Sequence, residues 1–489
     1  MDEPSAGAGA AAPRRPSMAD ALLPIGTLIL LLALSYYLFR DEASYGPNQI
    51  ALVFCSLVAA GLAARNGMPW SGIRQAAVDG VASGLAAIGI LLAVGALIGT
   101  WSLGGTIVTM VYYGLKILSP HYFYATTMII CAVVAISIGS SWTVAGTLGV
   151  GLLGIADSMG LSPAITAGAV ISGAYFGDKT SPLSDTVNLA AASAGSEVFA
   201  HIRESLWTSL PAFLAAAGLF ALLGSPSNFD AAAALAGIEN HVDVTPWALL
   251  PLVLVLGLAV ARVPPMAAIF LGALAGGVMA AILTPDWVLG LAAAPEMPKA
   301  LALLKGVWSA LATGFTAATG DATLDELLSR GGMASMMVTV WLIVTALMFG
   351  AIIEHAGFLD RIVASALAGM RSTAALIASL VATCIGANIV TSDQYMAIVL
   401  PGRIYKAEFA RRGLAPVLLS RSVGDSATVT SPLIPWNSCG AFMATTLGVP
   451  VPAYVAYCFF NLLNPVVSVL YAILGLRVLR VPAQDPARS

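Results

Sequence analysis

Two polar tracts, at 177–186 and 424–433, lie within apolar segments that are long enough to cross a bilayer. Each surrounds a Ser-Pro-Leu triplet; they read Gly177-Asp178-Lys179-Thr180-Ser181-Pro182-Leu183-Ser184-Asp185-Thr186 and Gly424-Asp425-Ser426-Ala427-Thr428-Val429-Thr430-Ser431-Pro432-Leu433. A charged side chain costs roughly 3 kcal/mol at membrane depth, so such residues persist there mainly for function. Their recurrence about half a chain apart indicates a transporter built from two repeats.

The composition is that of an all-α polytopic membrane protein. Of 489 residues, 58% are apolar and 10% are charged, whereas a soluble domain carries about 25% charge. The net charge of -3 argues against a nucleic-acid partner. The five cysteines lie in apolar spans without paired spacing, and the four histidines are scattered. We therefore expect packing cysteines and no metal-binding cluster.

The apolar runs fall into two sets and predict about 10–14 membrane segments, because some runs exceed one crossing and contain glycine, proline or charge. These long runs are expected to form discontinuous helices or re-entrant hairpins. The predicted division of the chain is a disordered cytoplasmic N-terminus at 1–20, a first transmembrane repeat at 21–224, an external linker at 225–245, a second transmembrane repeat at 246–476, and a cytoplasmic tail at 477–489.

Short matches between the two sets recur at an offset near 250 residues, as for the Ser-Pro-Leu triplets at 181 and 431. The loop 403–412 holds four basic residues, whereas its counterpart at 156–163 holds none. Basic loops favour the cytoplasmic side, so equivalent loops are expected on opposite sides of the membrane. This pattern predicts two inverted-topology repeats, with both termini in the cytoplasm.

Both tracts offer oxygen ligands suited to Na+. Pro182 removes a backbone donor and disfavours helix at Ser181, which frees carbonyl groups that a bound cation could satisfy. Na+ is a hard ion that prefers carboxylate, hydroxyl and carbonyl oxygens. The predicted ion-binding residues are Asp178, Thr180, Ser181, Ser184, Asp185, Thr186, Asn188, Asp393, Asp425, Thr428, Thr430, Ser431 and Asn437. Among these, the aspartates Asp178, Asp185 and Asp425 are expected to be buried and to bind Na+ directly.

A buried aspartate also explains how two ions could be coupled. Without a cation it favours its protonated form, and bound Na+ favours its ionised form, so one site holds either H+ or Na+. Asp178 and Asp185 would share a face of a continuous helix, but Pro182 interrupts that helix. Lys179 could neutralise one of these aspartates or titrate in the cycle, and we assign coupling to Lys179 and Asp185.

Other readings of the same residues remain open. The carboxylates could form structural salt bridges with Lys179 or an arginine, and single hydroxyls commonly bond to the carbonyl four residues earlier. An intramembrane enzyme is disfavoured because the sequence has no HExxH motif or paired metal ligands. A passive channel is disfavoured because interrupted helices and duplicated carboxylates suit alternating access better.

The motifs resemble those of the NhaC family of Na+/H+ antiporters. The resemblance is carried by the first tract with Asn188-Leu189, by Asp425 with 428–437, and by 96–101 and 328–333, and it covers about 20–475. It implies inverted repeats whose re-entrant hairpins meet near the midplane of a bacterial-type cytoplasmic membrane. It also implies Na+ and H+ as the transported or coupling ions, no cofactor, and a homodimer in the lipid bilayer.

Similar proteins include Na+-coupled carriers of small organic acids, such as malate/lactate exchangers, and of amino acids. The alternative function is therefore Na+-coupled transport or exchange of such a solute. An organic anion needs donors, so Arg403 or Lys179 facing the cavity would favour this alternative, with Arg421 a weaker candidate. Val187 and Ala191 depart from the small polar residue and the proline expected at these positions.

Overall fold

The computed structural model describes residues 14–223, 231–367, 370 and 372–481. The predicted disordered N-terminus at 1–20 and cytoplasmic tail at 477–489 therefore lie outside the described residues at 1–13 and 482–489, as do residues 225–230 of the predicted linker. Residues 18–20 belong to a helix.

The described part of the first predicted repeat consists of helices joined by short connections. Its helices are α1 Met18–Phe39, α2 Pro47–Arg65, α3 Trp70–Ser83, α4 Leu85–Leu103, α5 Thr106–Ile117, α6 Phe123–Ile138, α7 Ser141–Val144, α8 Val150–Ser158, α9 Pro163–Thr180, α10 Asp185–Ala194 and α11 Val198–Leu223.

The remainder is also helical, and in the described ranges its extended pairing is limited to an isolated bridge between Leu414 and Arg480. Its helices are α12 Ala231–His241, α13 Leu250–Val260, α14 Pro265–Leu283, α15 Pro285–Ala292, α16 Lys299–Thr313, α17 Ala322–Leu328, α18 Met337–His355, α19 Phe358–Leu367, α20 Thr373–Thr391, α21 Gln394–Arg411, α22 Pro416–Val423, α23 Ser438–Leu447, α24 Val451–Tyr454 and α25 Phe459–Ile473.

Eight helices of the described part are long and apolar enough to cross a membrane, and the count is ten if two bent pairs are each one span. One of these pairs, Ser438–Leu447 with Val451–Tyr457, bends by 87°. Other apolar helices, such as Phe459–Ile473, are shorter. The chain is therefore an all-α, multi-pass membrane protein, as the composition predicts.

Both predicted polar tracts interrupt helices. In the first, α9 ends at Thr180 and α10 begins at Asp185. In the second, α22 continues into a π-helical turn at Gly424–Thr428 and a 3₁₀ turn at Ser431–Leu433 before α23 begins. Two further interruptions, between α6 and α7 and between α20 and α21, coincide with the polar segments at 140–143 and 391–394.

A side-chain cap starts the helix after each interruption. Ser140 accepts a hydrogen bond from the Thr143 amide, and Ser184 accepts one from the Val187 amide. Asp393 and Asn437 cap α21 and α23 in the same way. Such caps each contribute about 1 kcal/mol and satisfy donors that would otherwise be unpaired in an apolar medium.

Within each half, the two interruptions touch. Gly139 ends α6 with φ +77°, and a Cβ placed there would lie 2.7 Å from the Leu183 carbonyl carbon, so only glycine fits without strain. In the second half, the Ser438 amide donates to the Ser392 carbonyl at 2.9 Å. This shared arrangement is consistent with a duplicated unit, while the opposite orientation of the two units stays a prediction.

An aromatic contact joins the two halves near these interruptions, and a small residue allows close packing within the first half. Trp142 of α7 stacks on Phe442 of α23, with ring centroids 4.0 Å apart and planes at 11°. Gly177 lets α9 approach α6, because a Cβ there would lie 2.5 Å from the Ala132 carbonyl oxygen. The last turn of α9 is therefore held against its own half while it faces the second half.

Candidate functional site

The Asp178 carboxylate lies at the meeting point of the two interruptions in the first half. Its Oδ2 accepts hydrogen bonds from the Ser141 amide at 3.1 Å and the Ser141 hydroxyl at 2.6 Å. Its Oδ1 accepts one from the Ser184 hydroxyl, and the Thr186 hydroxyl lies 3.4 Å from the same oxygen. Ser184 and Thr186 also contact each other at 2.9 Å. We call Asp178, Ser141, Ser184 and Thr186 the Asp178 cluster.

The Asp178 cluster is buried and rich in oxygen. Asp178 is 4% exposed, and the three hydroxyl side chains are similarly enclosed. Within the described ranges, Asp178 makes no ion pair with lysine, arginine or histidine. Four hydroxyl and amide donors stabilise this carboxylate but leave its net charge in place, so burial favours binding of a cation or a proton.

Asp185 differs from the expectation. It is exposed on the protein surface rather than buried, so the prediction of burial is wrong for this aspartate. Its Oδ2 accepts a hydrogen bond from the Tyr395 hydroxyl at 2.6 Å, and its Oδ1 accepts one from the Thr186 amide at 2.8 Å. The physical reason is that Asp185 is the first residue of α10, where its carboxylate bonds to Tyr395 and the Thr186 amide, while the hydroxyls of Ser184 and Thr186 are the ones that contact Asp178.

Three other predicted ligands of the first tract bond to backbone carbonyls. The Thr180 hydroxyl donates to the Phe176 carbonyl at 2.8 Å, and the Ser181 hydroxyl donates to the Ile136 carbonyl at 2.7 Å. The side-chain amide of Asn188 donates to the Ser184 carbonyl at 2.7 Å, and Asn188 is exposed. In this conformation these side chains stabilise the interrupted backbone and stand outside the Asp178 cluster.

Lys179 forms a buried ion pair with Asp425, rather than with Asp178 or Asp185. Both side chains are almost fully enclosed, at 1% and 0% exposure. The Lys179 ammonium also contacts the Ser209 hydroxyl at 2.6 Å, while Asp425 Oδ1 accepts bonds from Thr208 and Asn464, each at 2.9 Å. Asp425 is thus paired with a cationic side chain, whereas Asp178 has no such pair in the described ranges.

The predicted residues of the second half organise its interrupted backbone. The Thr428 carbonyl accepts a bond from Gln394 at 3.2 Å and one from the Ser431 hydroxyl at 2.9 Å. Thr430 donates to the Ser426 carbonyl at 2.7 Å. Asp393 caps α21 through the Met396 amide at 2.8 Å. The 250-residue offset pairs Asp178 with Thr428, so the first half has a carboxylate where the second has a hydroxyl.

An amide network completes this half. Asn437 donates to the Asn388 carbonyl at 3.1 Å, and Asn388 donates to the Ala427 carbonyl at 2.7 Å. Asn461 donates to the Val429 carbonyl at 2.8 Å. Carbonyls freed by the π-helical and 3₁₀ turns are therefore bound by side-chain amides, which removes the cost of leaving them unpaired in the membrane.

Several residues around the two aspartates were not predicted from the sequence. These are Ser141 beside Asp178, and Thr208, Ser209 and Asn464 around Lys179 and Asp425. A signal was present for the latter group, because polar residues recur at helical spacing along α11 and along α25. Such stripes in apolar helices indicate a polar neighbour inside the protein.

Comparisons with known proteins agree with these motifs. Residues 173–476 match the sequence profile described as the Na+/H+ antiporter family. The chain is 35% identical to the Na+/H+ antiporter NhaC of Alkalihalophilus pseudofirmus, over 95% of this chain and 97% of the relative. It is 37% identical to the NhaC of Bacillus subtilis, over 83% and 87% of the two chains.

A third relative has a different printed activity. It is the malate-2H+/Na+-lactate antiporter of Bacillus subtilis, which is 32% identical over 94% of this chain and 96% of that protein. All three relatives are matched along most of their length, and all are antiporters by name. With its two interrupted helices in each half and its buried Asp178 cluster, the chain belongs to the Na+/H+ antiporter family.

Proposed function

We propose that this protein is a secondary transporter that exchanges Na+ for H+ across the cytoplasmic membrane by alternating access, with Asp178 as the exchange site. The observation that carries this proposal is the contrast between two of the three buried aspartates in the described ranges, Asp178 and Asp425. The third, Asp393, caps α21 through the Met396 amide, and no hydroxyl cluster encloses it in the described part of the chain. Asp425 is neutralised by Lys179, whereas Asp178 is enclosed by hydroxyl groups and pairs with no cation in the described ranges. An uncompensated buried carboxylate is a site for an exchangeable positive charge.

The donor set of the Asp178 cluster suits both competing ions. Na+ prefers carboxylate and hydroxyl oxygens, and Ser141, Ser184 and Thr186 each carry hydroxyl lone pairs close to the carboxylate. A proton neutralises the same carboxylate without other ligands. Because either ion removes the same buried charge, binding of one excludes the other. Exchange follows if the cluster opens to alternate sides with one ion or the other bound.

Lys179 connects this site to the second half of the protein. It follows Asp178 in the last turn of α9, and its ammonium contacts Asp425 and Ser209. A rearrangement at Asp178 on loading Na+ is therefore transmitted to the Lys179–Asp425 ion pair through a single peptide unit. We assign Lys179 to coupling on this basis, with Asp185 at the exposed end of the same tract.

Transport of an organic anion is less well supported by the side chains. Such a substrate needs a cation to bind its carboxylate, yet Lys179 is paired with Asp425 and Arg421 with Glu204. Arg403 is exposed on the protein surface. The malate/lactate relative shows that a similar chain carries this activity, so labelled malate, lactate and an amino acid belong in the same experiment.

The side of the membrane on which the termini lie follows from charge. The basic loop 403–412 and the C-terminal residues Arg477 and Arg480 are proposed to face the cytoplasm. A single cysteine introduced at 481 in a cysteine-free variant should react with an impermeant maleimide only from the cytoplasmic side. Reaction from the outside in intact cells would overturn this orientation.

The test of function is Na+-driven proton movement in vesicles. The purified protein is reconstituted with an internal pH-sensitive dye, a pH gradient is imposed, and NaCl or choline chloride is added outside. We expect rapid pH change with Na+ alone, and at least a 100-fold loss of rate, or about 2.7 kcal/mol, in Asp178→Asn. Asp157→Asn, which removes an exposed aspartate at the end of α8, is the matched control and should behave as the wild type.

Three outcomes decide between the functions. Na+-dependent proton movement that Asp178→Asn abolishes supports the proposal. Proton movement that survives in Asp178→Asn would move the exchange site elsewhere in the protein. A silent wild type that instead accumulates a labelled carboxylate or amino acid with Na+ would overturn Na+/H+ exchange in favour of organic-solute transport.

A further inference from the structure

Five charged side chains of alternating sign connect α9 to residues 477–481, which we call the C-terminal segment. Lys179 pairs with Asp425, the Arg421 Nε lies 3.8 Å from Asp425 Oδ2, and Arg421 Nη1 lies 2.9 Å from Glu204 Oε1. Arg477 closes the series through its ion pair with Glu204. The first four side chains are almost fully buried, whereas Arg477 is 37% exposed. The series therefore links the buried aspartate to the surface.

Arg421 occupies an unequal position between two carboxylates. It makes a direct hydrogen bond to Glu204, but it makes none to Asp425. Its Nε and Nη2 groups, and Asp425 Oδ2, have no hydrogen-bond partner within the described ranges. A guanidinium binds a carboxylate best through two parallel N–H groups. Arg421 and Asp425 thus hold unused donors and an unused acceptor within a short movement of each other.

Glu204 is the acidic group that holds Arg421, whose Nη1 also donates to the Arg477 carbonyl at 3.3 Å. The Glu204 Oε1 is shared between Arg421 at 2.9 Å and Arg477 Nε at 3.2 Å, and its Oε2 contacts Arg477 again. Two arginines therefore bind the Glu204 carboxylate, and they share its Oε1. No other acidic side chain pairs with Arg421 in the described ranges apart from Asp425.

The C-terminal segment fixes Glu204 from the surface side. Arg477 lies over the Trp207 ring, 4.9 Å from its centroid, one helical turn from Glu204 on α11. The segment also pairs with the connection before α22, through the Ala415 amide to the Leu479 carbonyl and the Val481 amide to the Gly413 carbonyl, both at 3.0 Å. The segment therefore bridges the helix that carries Glu204 and the helix that carries Arg421.

We propose that Glu204, held by Arg477, is a positioning residue that keeps Arg421 away from Asp425, so that Lys179 remains the cation paired with that aspartate. This inference rests on the proposed Na+/H+ exchange. Without the Glu204 charge, Arg421 turns its free donors to Asp425 and displaces Lys179. Because Lys179 adjoins Asp178, the displaced ammonium disturbs the end of α9 and slows the coupled movement.

The test is an epistasis experiment in the same dye-loaded vesicles. Glu204→Gln removes the negative charge and keeps the shape of the side chain, and we expect at least a tenfold lower kcat for Na+-dependent proton movement. Arg421→Gln introduced into this variant removes the competing guanidinium. The double variant should therefore exchange at least about fivefold faster than Glu204→Gln alone, whereas Arg421→Gln by itself should not exceed the wild type. A gain confined to the Glu204→Gln background is a non-additive interaction between the two residues.

A surface variant provides an independent arm if Glu204→Gln does not fold. Arg477→Gln loosens Glu204 from outside and should lower kcat about threefold, and an unchanged kcat would overturn the inference. Arg480→Gln is the matched control, because it removes a charge from the same segment and Arg480 forms no ion pair with Glu204. It should leave kcat and KM for Na+ unchanged.

The outcomes distinguish failure of this inference from failure of the proposed Na+/H+ exchange. Recovery of kcat by Arg421→Gln in the Glu204→Gln background, with equal unfolding midpoints for the single and double variants, supports the positioning role. Recovery that accompanies a higher unfolding midpoint in the double variant is relief of an unpaired buried guanidinium and overturns it. A wild type that exchanges, together with a Glu204→Gln variant that Arg421→Gln fails to restore, overturns the inference alone. A wild type without Na+-dependent proton movement overturns the proposed function and the inference with it.

Discussion

Asp178 and Lys179 are neighbours in sequence, yet their side chains contact opposite halves of the protein. The Asp178 carboxylate accepts hydrogen bonds from Ser141 and Ser184 in the first half, and the Lys179 ammonium pairs with Asp425 in the second. The last turn of α9 therefore carries two adjacent charged residues: Asp178, which pairs with no cation in the described ranges, and Lys179, which is already paired with Asp425. In the proposed cycle, Na+ binding at Asp178 therefore changes the Lys179–Asp425 ion pair.

The hydroxyl groups of the first tract should differ in importance. Ser141→Ala removes a hydroxyl 2.6 Å from Asp178 and should raise the KM for Na+ about tenfold, since one ligand is worth about 1.4 kcal/mol. Thr180→Ala removes a hydroxyl that bonds to the Phe176 carbonyl, so its KM should stay within about twofold of wild type. Initial rates of proton movement against Na+ concentration give both values. Equal KM values for the two variants would contradict the assignment.

Competition at one carboxylate sets the pH dependence. As the pH falls, protons occupy Asp178 and Na+ must displace them, so the apparent KM for Na+ should rise by up to about tenfold per pH unit. The kcat at saturating Na+ should change much less than KM, because excess Na+ overcomes the competitor. The measurement is a series of Na+ titrations of exchange at fixed internal pH. A KM independent of pH with a falling kcat would indicate separate sites for the two ions.

The Lys179–Asp425 pair should govern stability. Lys179→Met leaves Asp425 buried without its closest cation, which should cost about 3–5 kcal/mol. Adding Asp425→Asn removes the uncompensated charge and should recover most of that loss. Apparent midpoints of thermal unfolding in detergent compare the single and double variants at one heating rate. A double variant no more stable than Lys179→Met would show that the pair is not the source of the loss.

The contact between the first two interruptions depends on Gly139. Gly139→Ala places a methyl group 2.7 Å from the Leu183 carbonyl carbon at a residue with φ +77°, so it should lower stability by about 1–3 kcal/mol. It should also raise the KM for Na+, because Ser184 follows Leu183 and contacts Asp178. Gly160→Ala, at φ +65° with open space around the new Cβ, is the control for backbone strain alone. A KM that rises equally in both variants would contradict the role of the contact.

The sequence predicts the helical class and the interruptions of the helices well, for a physical reason. Charge and proline are costly within apolar helices, so Asp178, Pro182 and Asp425 mark the sites where regular helix ends or deforms. The break before α21 is likewise indicated by the polar residues around Asp393. Each of these signals lies within one apolar run, so it is visible without knowing how the helices pack.

The partners of these residues are less accessible from sequence. Lys179 and Asp425 are 246 residues apart, and their pairing depends on how the two halves pack. The exposure of Asp185 depends on the direction in which α10 leaves the break, although its neighbours are as polar as those of Asp178. Ser141 belongs to a separate helix, so its bond to Asp178 requires the contact between the two interruptions.

The most direct test of the account is the number of protons released when the purified protein binds Na+. The protein in detergent is mixed with NaCl or choline chloride in weak buffer containing a pH indicator, without any membrane or gradient. We predict release of about one proton per wild-type chain with Na+ alone, and none from Asp178→Asn. Undiminished release from Asp178→Asn would contradict the claim that this carboxylate exchanges H+ for Na+.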